Sequence, residues 1–228
     1  VEDLKVESAE GQEIPVPLNQ VFPDLPELGS GEDLIPKKKV ANDFDLEYFK
    51  QRMAQDNLRF ANEKEDLLEL FAIAEQKKWT WYETYVLARE TAVSQVISTK
   101  RMKQKLAQKP AEGQFSKQEQ SIIQEAKRTS PMVFLAEIKK TRQAAITRTE
   151  RKLLLDLAEL GLLDEVINVI LLLTFNKVDS ANLNEKYALK VANDFSYQKV
   201  TTAEEAVLKI RERNQQSQNR PAKSGQGS

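Results

Sequence analysis

The sequence predicts an all-α protein made of two small helical modules. Three observations carry that reading. Between Lys37 and Arg213 only Gly113, Gly161, Pro110 and Pro131 interrupt a body rich in Leu, Ala, Glu, Lys and Gln, all good helix formers. Apolar residues in that body recur at helical spacing. Lys109-Pro110-Ala111-Glu112-Gly113 breaks it once, because Pro and Gly both stop helices, and leaves a helical stretch on either side.

The elements follow in order. Residues 1–38 are acidic, Pro-rich and aperiodic, and are expected to be a linker or tail that buries too little surface to fold alone. Asn42 or Asp43 is expected to cap a first helix carrying Phe44, Tyr48, Phe49, Met53 and Leu58. Leu67, Leu68, Leu70, Phe71 and Ala74 form the stripe of a second helix over 63–77. A third, longer one begins near Thr80, buries Tyr82, Tyr85, Val86, Val93, Val96 and Ile97, and runs into the basic 100–105 segment. Together these make the first module, 39–109. Ser116 and Glu119 cap a short helix inside a basic connector, 110–129.

The second module is read over 130–213. Ser130-Pro131 starts a helix with Pro at its first position, and Thr147 and Glu150 form a capping box for the next. Gly161 is placed just past a helix end. Asp164 is expected to cap an apolar helix, followed by helices over 184–195 and 202–213, the last with Thr202 and Glu205 at capping-box spacing. The polar residues 214–228 are expected to be disordered. Phe71 to Val86 echoes Leu155 to Ile170 in apolar pattern, so the first module is either a degenerate copy of the second or an unrelated helical pair.

Composition excludes several function classes. With no cysteine and no histidine there is no disulfide, thiolate zinc site, cysteine nucleophile or imidazole-based triad. No Gly-x-x-x-x-Gly-Lys-Ser/Thr loop is present. Neither an enzyme nor a cofactor is expected. The most apolar run, 166–175, holds Asn168 and Thr174 and is half the roughly 20 residues that a membrane span needs. A start at Val1 rather than Met suggests a piece of a longer protein.

The net charge of −1 hides a segregation. Residues 1–36 hold nine acids against Lys5, giving −8, whereas 100–152 hold fourteen Lys/Arg against five acids, giving +9. A strongly basic middle is the electrostatic footprint of nucleic-acid binding. Lys127, Arg128, Lys139, Lys140, Arg142, Arg148, Arg151 and Lys152 are the candidate phosphate contacts, because they flank helix starts and loops. The alternative for them is a solvated helix surface. Trp79, Trp81, Tyr82 and Tyr85 read first as a staple between two helices, with a stacking platform for bases as the alternative.

One stretch is more specific. Tyr187, Val191 and Phe195 stand at i, i+4 and i+8 and stack on one helix face. With Ser130-Pro131 and a hydrophobic turn, a leucine-rich helix, Gly161-Leu162-Leu163, Val166-Ile167-Asn168-Val169-Ile170 and Thr202-x-Glu204-Glu205-Ala206, in that order, they resemble the C-terminal module of the DnaD/DnaB family of Gram-positive primosome proteins. The likeness covers 130–213 and is greatest to the DnaB branch, the replication initiation and membrane attachment proteins. The family's hallmark helix reads Tyr-x-x-x-Ile-x-x-x-Trp; here Val191 replaces Ile, and Phe195 replaces Trp, keeping a stacking ring but losing the indole N–H donor.

The resemblance implies a non-catalytic DNA-binding protein of replication initiation or restart that helps load the replicative helicase. Implied partners are single- and double-stranded DNA, the replicative helicase with its ATPase loader, and a DnaD-type primosome protein. Tyr187, with Lys190 on its polar side, joins the expected DNA contacts. Homo-oligomerisation of the full-length protein and a cytoplasmic location with peripheral membrane association are also implied. Members carry an N-terminal winged-helix oligomerisation domain, and no counterpart is legible here. The rival reading is a structural adaptor without DNA contact, whose basic middle meets an acidic partner or the acidic 1–36 segment.

Overall fold

Side-chain caps set where most helices begin. In the computed structural model, which describes residues 44–177 and 180–218, ten helices and no extended strand occur among the described residues, so the all-α expectation holds. They are α1 (Leu46–Gln55), α2 (Glu63–Lys77), α3 (Trp81–Thr91), α4 (Thr99–Leu106), α5 (Lys117–Arg128), α6 (Pro131–Thr141), α7 (Arg148–Glu159), α8 (Asp164–Lys177), α9 (Glu185–Tyr197) and α10 (Ala203–Gln218). Complete capping boxes open α3 (Thr80, Glu83), α5 (Ser116, Glu119) and α7 (Thr147, Glu150). Asp45 caps α1 by accepting from the Tyr48 N–H at 3.1 Å; the expected caps Asn42 and Asp43, like the whole acidic segment, lie outside the described residues.

Two apolar cores form. The first joins α1–α4 around Phe49, Met53, Leu70, Ile73, Tyr85, Ile97 and Met102. Tyr85 is the aromatic at its centre, edge-on to Phe49, while Trp79 and Trp81 pack partly buried against it; Tyr48 stacks on Trp81 at 5.9 Å. The Tyr85 hydroxyl donates to Asp56. Burial, then this bond, pushes the phenol up to about 12. The same bond, ahead of Arg52 and Arg89, holds the Asp56 carboxyl below its ordinary range.

The long third helix is corrected. α3 stops at Thr91, and Ser94 and Gln95 both take positive φ (48° and 64°) in a two-residue turn that pairs Val93 with Val96. Positive φ at both central residues matches strand twist. Arg59 pairs alongside, giving its carbonyl to the Ile97 N–H and its N–H to the Gln95 carbonyl, each at 2.9 Å. Ser98 then caps α4 as a separate helix. Val86, expected inside, is 37% exposed.

The second core wraps α5–α10 around α8, whose Val166, Ile167, Val169, Ile170 and Leu171 are buried on several sides. α5 belongs to this core through Ile123 and Ala126, so the connector helix is structurally part of the second module. Asn168, fully buried in α8, donates from Nδ2 to the carbonyls of Ala126 (2.9 Å) and Thr129 (2.6 Å), satisfying the end of α5. α10 continues through 214–218, past the stop expected at Arg213, and Arg211 ties it to Glu119 of α5 at 2.7 Å. Residues 219–228 lie outside the described residues.

The modules join where α4 meets the start of α8. Asp164 is the first helical residue of α8 rather than its cap, and its carboxylate takes the buried Arg101 guanidinium. Gln108 donates to Glu165 (2.7 Å) and to the Thr201 carbonyl (2.8 Å). Gly161 ends α7 at φ 91°, and a Cβ there would stand 3.3 Å from Lys100 Cβ. The positive φ favours glycine, and an added Cβ would need Lys100 to give by a few tenths of an ångström.

Candidate nucleic-acid interface

The basic region is not one surface once folded. Of its α4 cations, Arg101 is buried on Asp164, Lys103 pairs with Glu69 at 2.7 Å and Lys105 with Glu90 at 3.3 Å. Lys139, a candidate contact, is 1% exposed. Its ammonium donates to Glu150 (2.9 Å), to the Ala181 carbonyl (2.7 Å) and to Asn182 Oδ1 (3.1 Å). Arg142 is half-buried, its guanidinium over the Phe175 ring at 5.0 Å and bonded to the carbonyls of Ser180 (2.5 Å) and Phe175 (2.8 Å). Both side chains are turned inward and occupied, so neither is presented to a phosphate in this conformation. They pin the 180–183 segment instead. Spacing alone could not show this, because Lys139 and Lys140 differ by about 100° of helix rotation.

Glu150 completes the buried node. Burial acts to raise its pKa, but N–H groups of Thr147 and Leu183 and the Lys139 ammonium together outweigh burial and hold the carboxyl below its ordinary range. With its one first-turn acid turned inward, the outer face of the α7 start carries cations and no acid. Arg148, Arg151 and Lys152 are exposed there, and Lys140 is exposed just upstream; none of these side chains makes a hydrogen bond or ion pair with a described residue. A helix N-terminus already carries a positive partial charge, so cations there raise the local potential further. Arg128 is also exposed and unpaired at the end of α5, while its neighbour Lys127 pairs with Glu204. In the chain, the whole of α6 lies between these two and the α7 cluster.

α9 packs against α7, and its start lies beside the start of α7 because the Leu183 N–H donates to Glu150 at 3.0 Å. Of the hallmark residues, Val191 and Phe195 are fully buried, with Arg213 over the Phe195 ring at 5.7 Å, and Tyr187 is partly buried against the same core. Lys190 is exposed. Sequence reasoning missed Tyr197, which is 89% exposed. Its signal was register: Tyr197 stands at i+11 from Lys186, on the face opposite the hallmark stripe.

Two family models match the chain. The DnaB N-terminal winged helix domain matches residues 1–109, and the replication initiation and membrane attachment domain of DnaB matches residues 135–210, from α6 into α10. The chain belongs to the DnaD/DnaB family. The first match corrects the expectation that no winged-helix domain is present. Its described part has a sheet reduced to two isolated bridges, at Arg59, Val93 and Val96, so no alternating strand pattern was there to read. Neither the curated proteins nor the solved structures yielded a match. The DnaD/DnaB assignment makes this a replication-initiation and membrane-attachment type of chain. No helix among the described residues is long and apolar enough to cross a membrane, and no acidic cluster there could hold a metal.

Proposed function

We propose that this DnaD/DnaB-family chain binds DNA through the outer face of the α7 start and the adjoining face of α9, and from there helps position the replicative helicase and its ATPase loader. One observation carries the reading: Arg148, Arg151 and Lys152 crowd a helix N-terminus that is positive already, while its acid, Glu150, is sequestered on Lys139. Such an arrangement is unfavourable without an anion and is relieved by one. Lys140, Lys190 and Arg128 extend the surface, with Tyr187 at its edge.

Anisotropy titrations with single- and double-stranded oligonucleotides at several salt concentrations test it. With ~4–6 phosphates neutralised, log K against log salt should slope by about −3 to −5. Replacing Arg148, Arg151 and Lys152 by Ala should weaken both substrates and reduce the slope by about 2–3. A flat salt dependence, or an unchanged slope in the triple variant, would sink the assignment. A second reading, an adaptor without DNA contact, draws on a groove of about 310 Å³ between α5, α8 and α10, lined by Ile122, Val169, Leu172, Leu173, Val207 and Ile210.

A further inference from the structure

α9 presents two faces of opposite character. Ala188, Val191, Ala192 and Phe195 are fully buried. On the other side Lys186, Lys190, Asn193 and Tyr197 are all exposed, at i, i+4, i+7 and i+11, a line about 16 Å long. Tyr197 at 89% is the most exposed large hydrophobic side chain among the described residues. Neither it nor the two lysines makes a hydrogen bond, ion pair or ring contact with a described residue. Of the acids of α9, Asp194 stands four residues after Lys190 but is held by Arg213, and Glu185 stands about 100° round the helix from Lys186. Lys199, exposed and at φ 55°, follows in the turn after Tyr197.

A lone exposed aromatic would need no explanation. Here the ring ends a row of unpaired cations, and that row starts beside the basic turn of α7, where the Leu183 N–H meets Glu150. We infer that Tyr197 is a stacking platform for a base of single-stranded DNA whose backbone runs along Lys186 and Lys190. The ammonium groups meet phosphates, and the phenol ring meets the open face of a base. In a duplex each base face is already covered by its neighbours, so the ring adds affinity only for single strands. Tyr197 therefore sets preference for strandedness and not for sequence. The inference rests on the DNA-binding reading above and adds to it a residue that discriminates substrates.

The test uses the full 228-residue chain with oligothymidylate and a duplex of equal length. Tyr197→Ala should weaken single-strand binding by about 5-fold or more, leave duplex binding unchanged, and leave the melting temperature unchanged because the ring is nearly all exposed. Tyr197→Phe should keep the single-strand affinity, and oligonucleotides carrying 5-bromodeoxyuridine should photocross-link to residue 197. Equal losses on both substrates, or a phenylalanine variant as weak as the alanine one, would overturn the stacking role. So would a Tyr197→Ala variant that loses binding to anionic lipid vesicles while keeping its single-strand affinity. Wild-type chain that binds neither oligonucleotide would overturn the DNA-binding reading itself. Wild-type binding with undiminished Tyr197→Ala affinity would overturn this inference alone.

Discussion

Lys139 and Glu150 show how one side chain changes meaning on folding. Two charges out of water are costly, and this pair persists because a carbonyl, an amide oxygen and two backbone N–H groups satisfy what the ion pair leaves over. Lys139→Met should therefore destabilise the second module by about 3–5 kcal/mol, since it strands a buried carboxylate. Adding Glu150→Gln, which removes the charge and keeps an acceptor for the Thr147 and Leu183 N–H groups, should recover part of that loss, and chemical denaturation of the single and double variants measures both. Because the folded Glu150 pKa is depressed, its contribution is present above the usual carboxylate value of about 4.3 and lost as pH falls below it. Glu150→Gln should flatten this acid limb; an unchanged acid profile would refute the assignment.

At the scale of elements, the helix starts followed local chemistry and the interruptions did not. Ser-x-x-Glu and Thr-x-x-Glu spacings marked α5 and α7 because a capping box is a contact within four residues. The break after α3 rests on Ser94 and Gln95 adopting positive φ, which neither residue type advertises, and on pairing with Arg59 more than thirty residues earlier. Gly161 was legible as a helix end, but its second duty was not: it lets α4 approach at Lys100. Gly161→Ala should cost about 1–3 kcal/mol, from a left-handed backbone that Cβ disfavours and from crowding against Lys100. A variant as stable as the parent in urea would show that this junction yields more easily than its geometry implies.

Over the whole molecule, charge is partitioned along the chain. Removing 1–36 takes the net charge from −1 to +7. Attraction to a polyanion should rise accordingly, by about 1 kcal/mol at low salt, and the gain should fade as salt shortens the Debye length. Matched titrations of the full chain and the deletion, at two ionic strengths, check this. Equal affinities at low salt would remove the acidic segment from any part in DNA binding.

Periodicity and capping, which depend on neighbours within one or two turns, determined the all-α class, most helix starts and the family likeness of 130–213. The hallmark stripe was also readable as one helix face. What that face meets was not: Phe195 and Val191 are buried and Tyr187 is partly so because α9 packs on α7 and α8. Only tertiary structure sorted the basic region. It took Lys139 and Arg142 into the interior, spent Lys103 and Lys105 on Glu69 and Glu90, and left Lys140, Arg148, Arg151 and Lys152 outward. A charge count follows from composition, but whether a cation faces water or a buried carboxylate depends on contacts between residues far apart in the chain. Tyr197 makes the same point in reverse: register put it opposite the hallmark stripe, and the structure showed that nothing described covers that face.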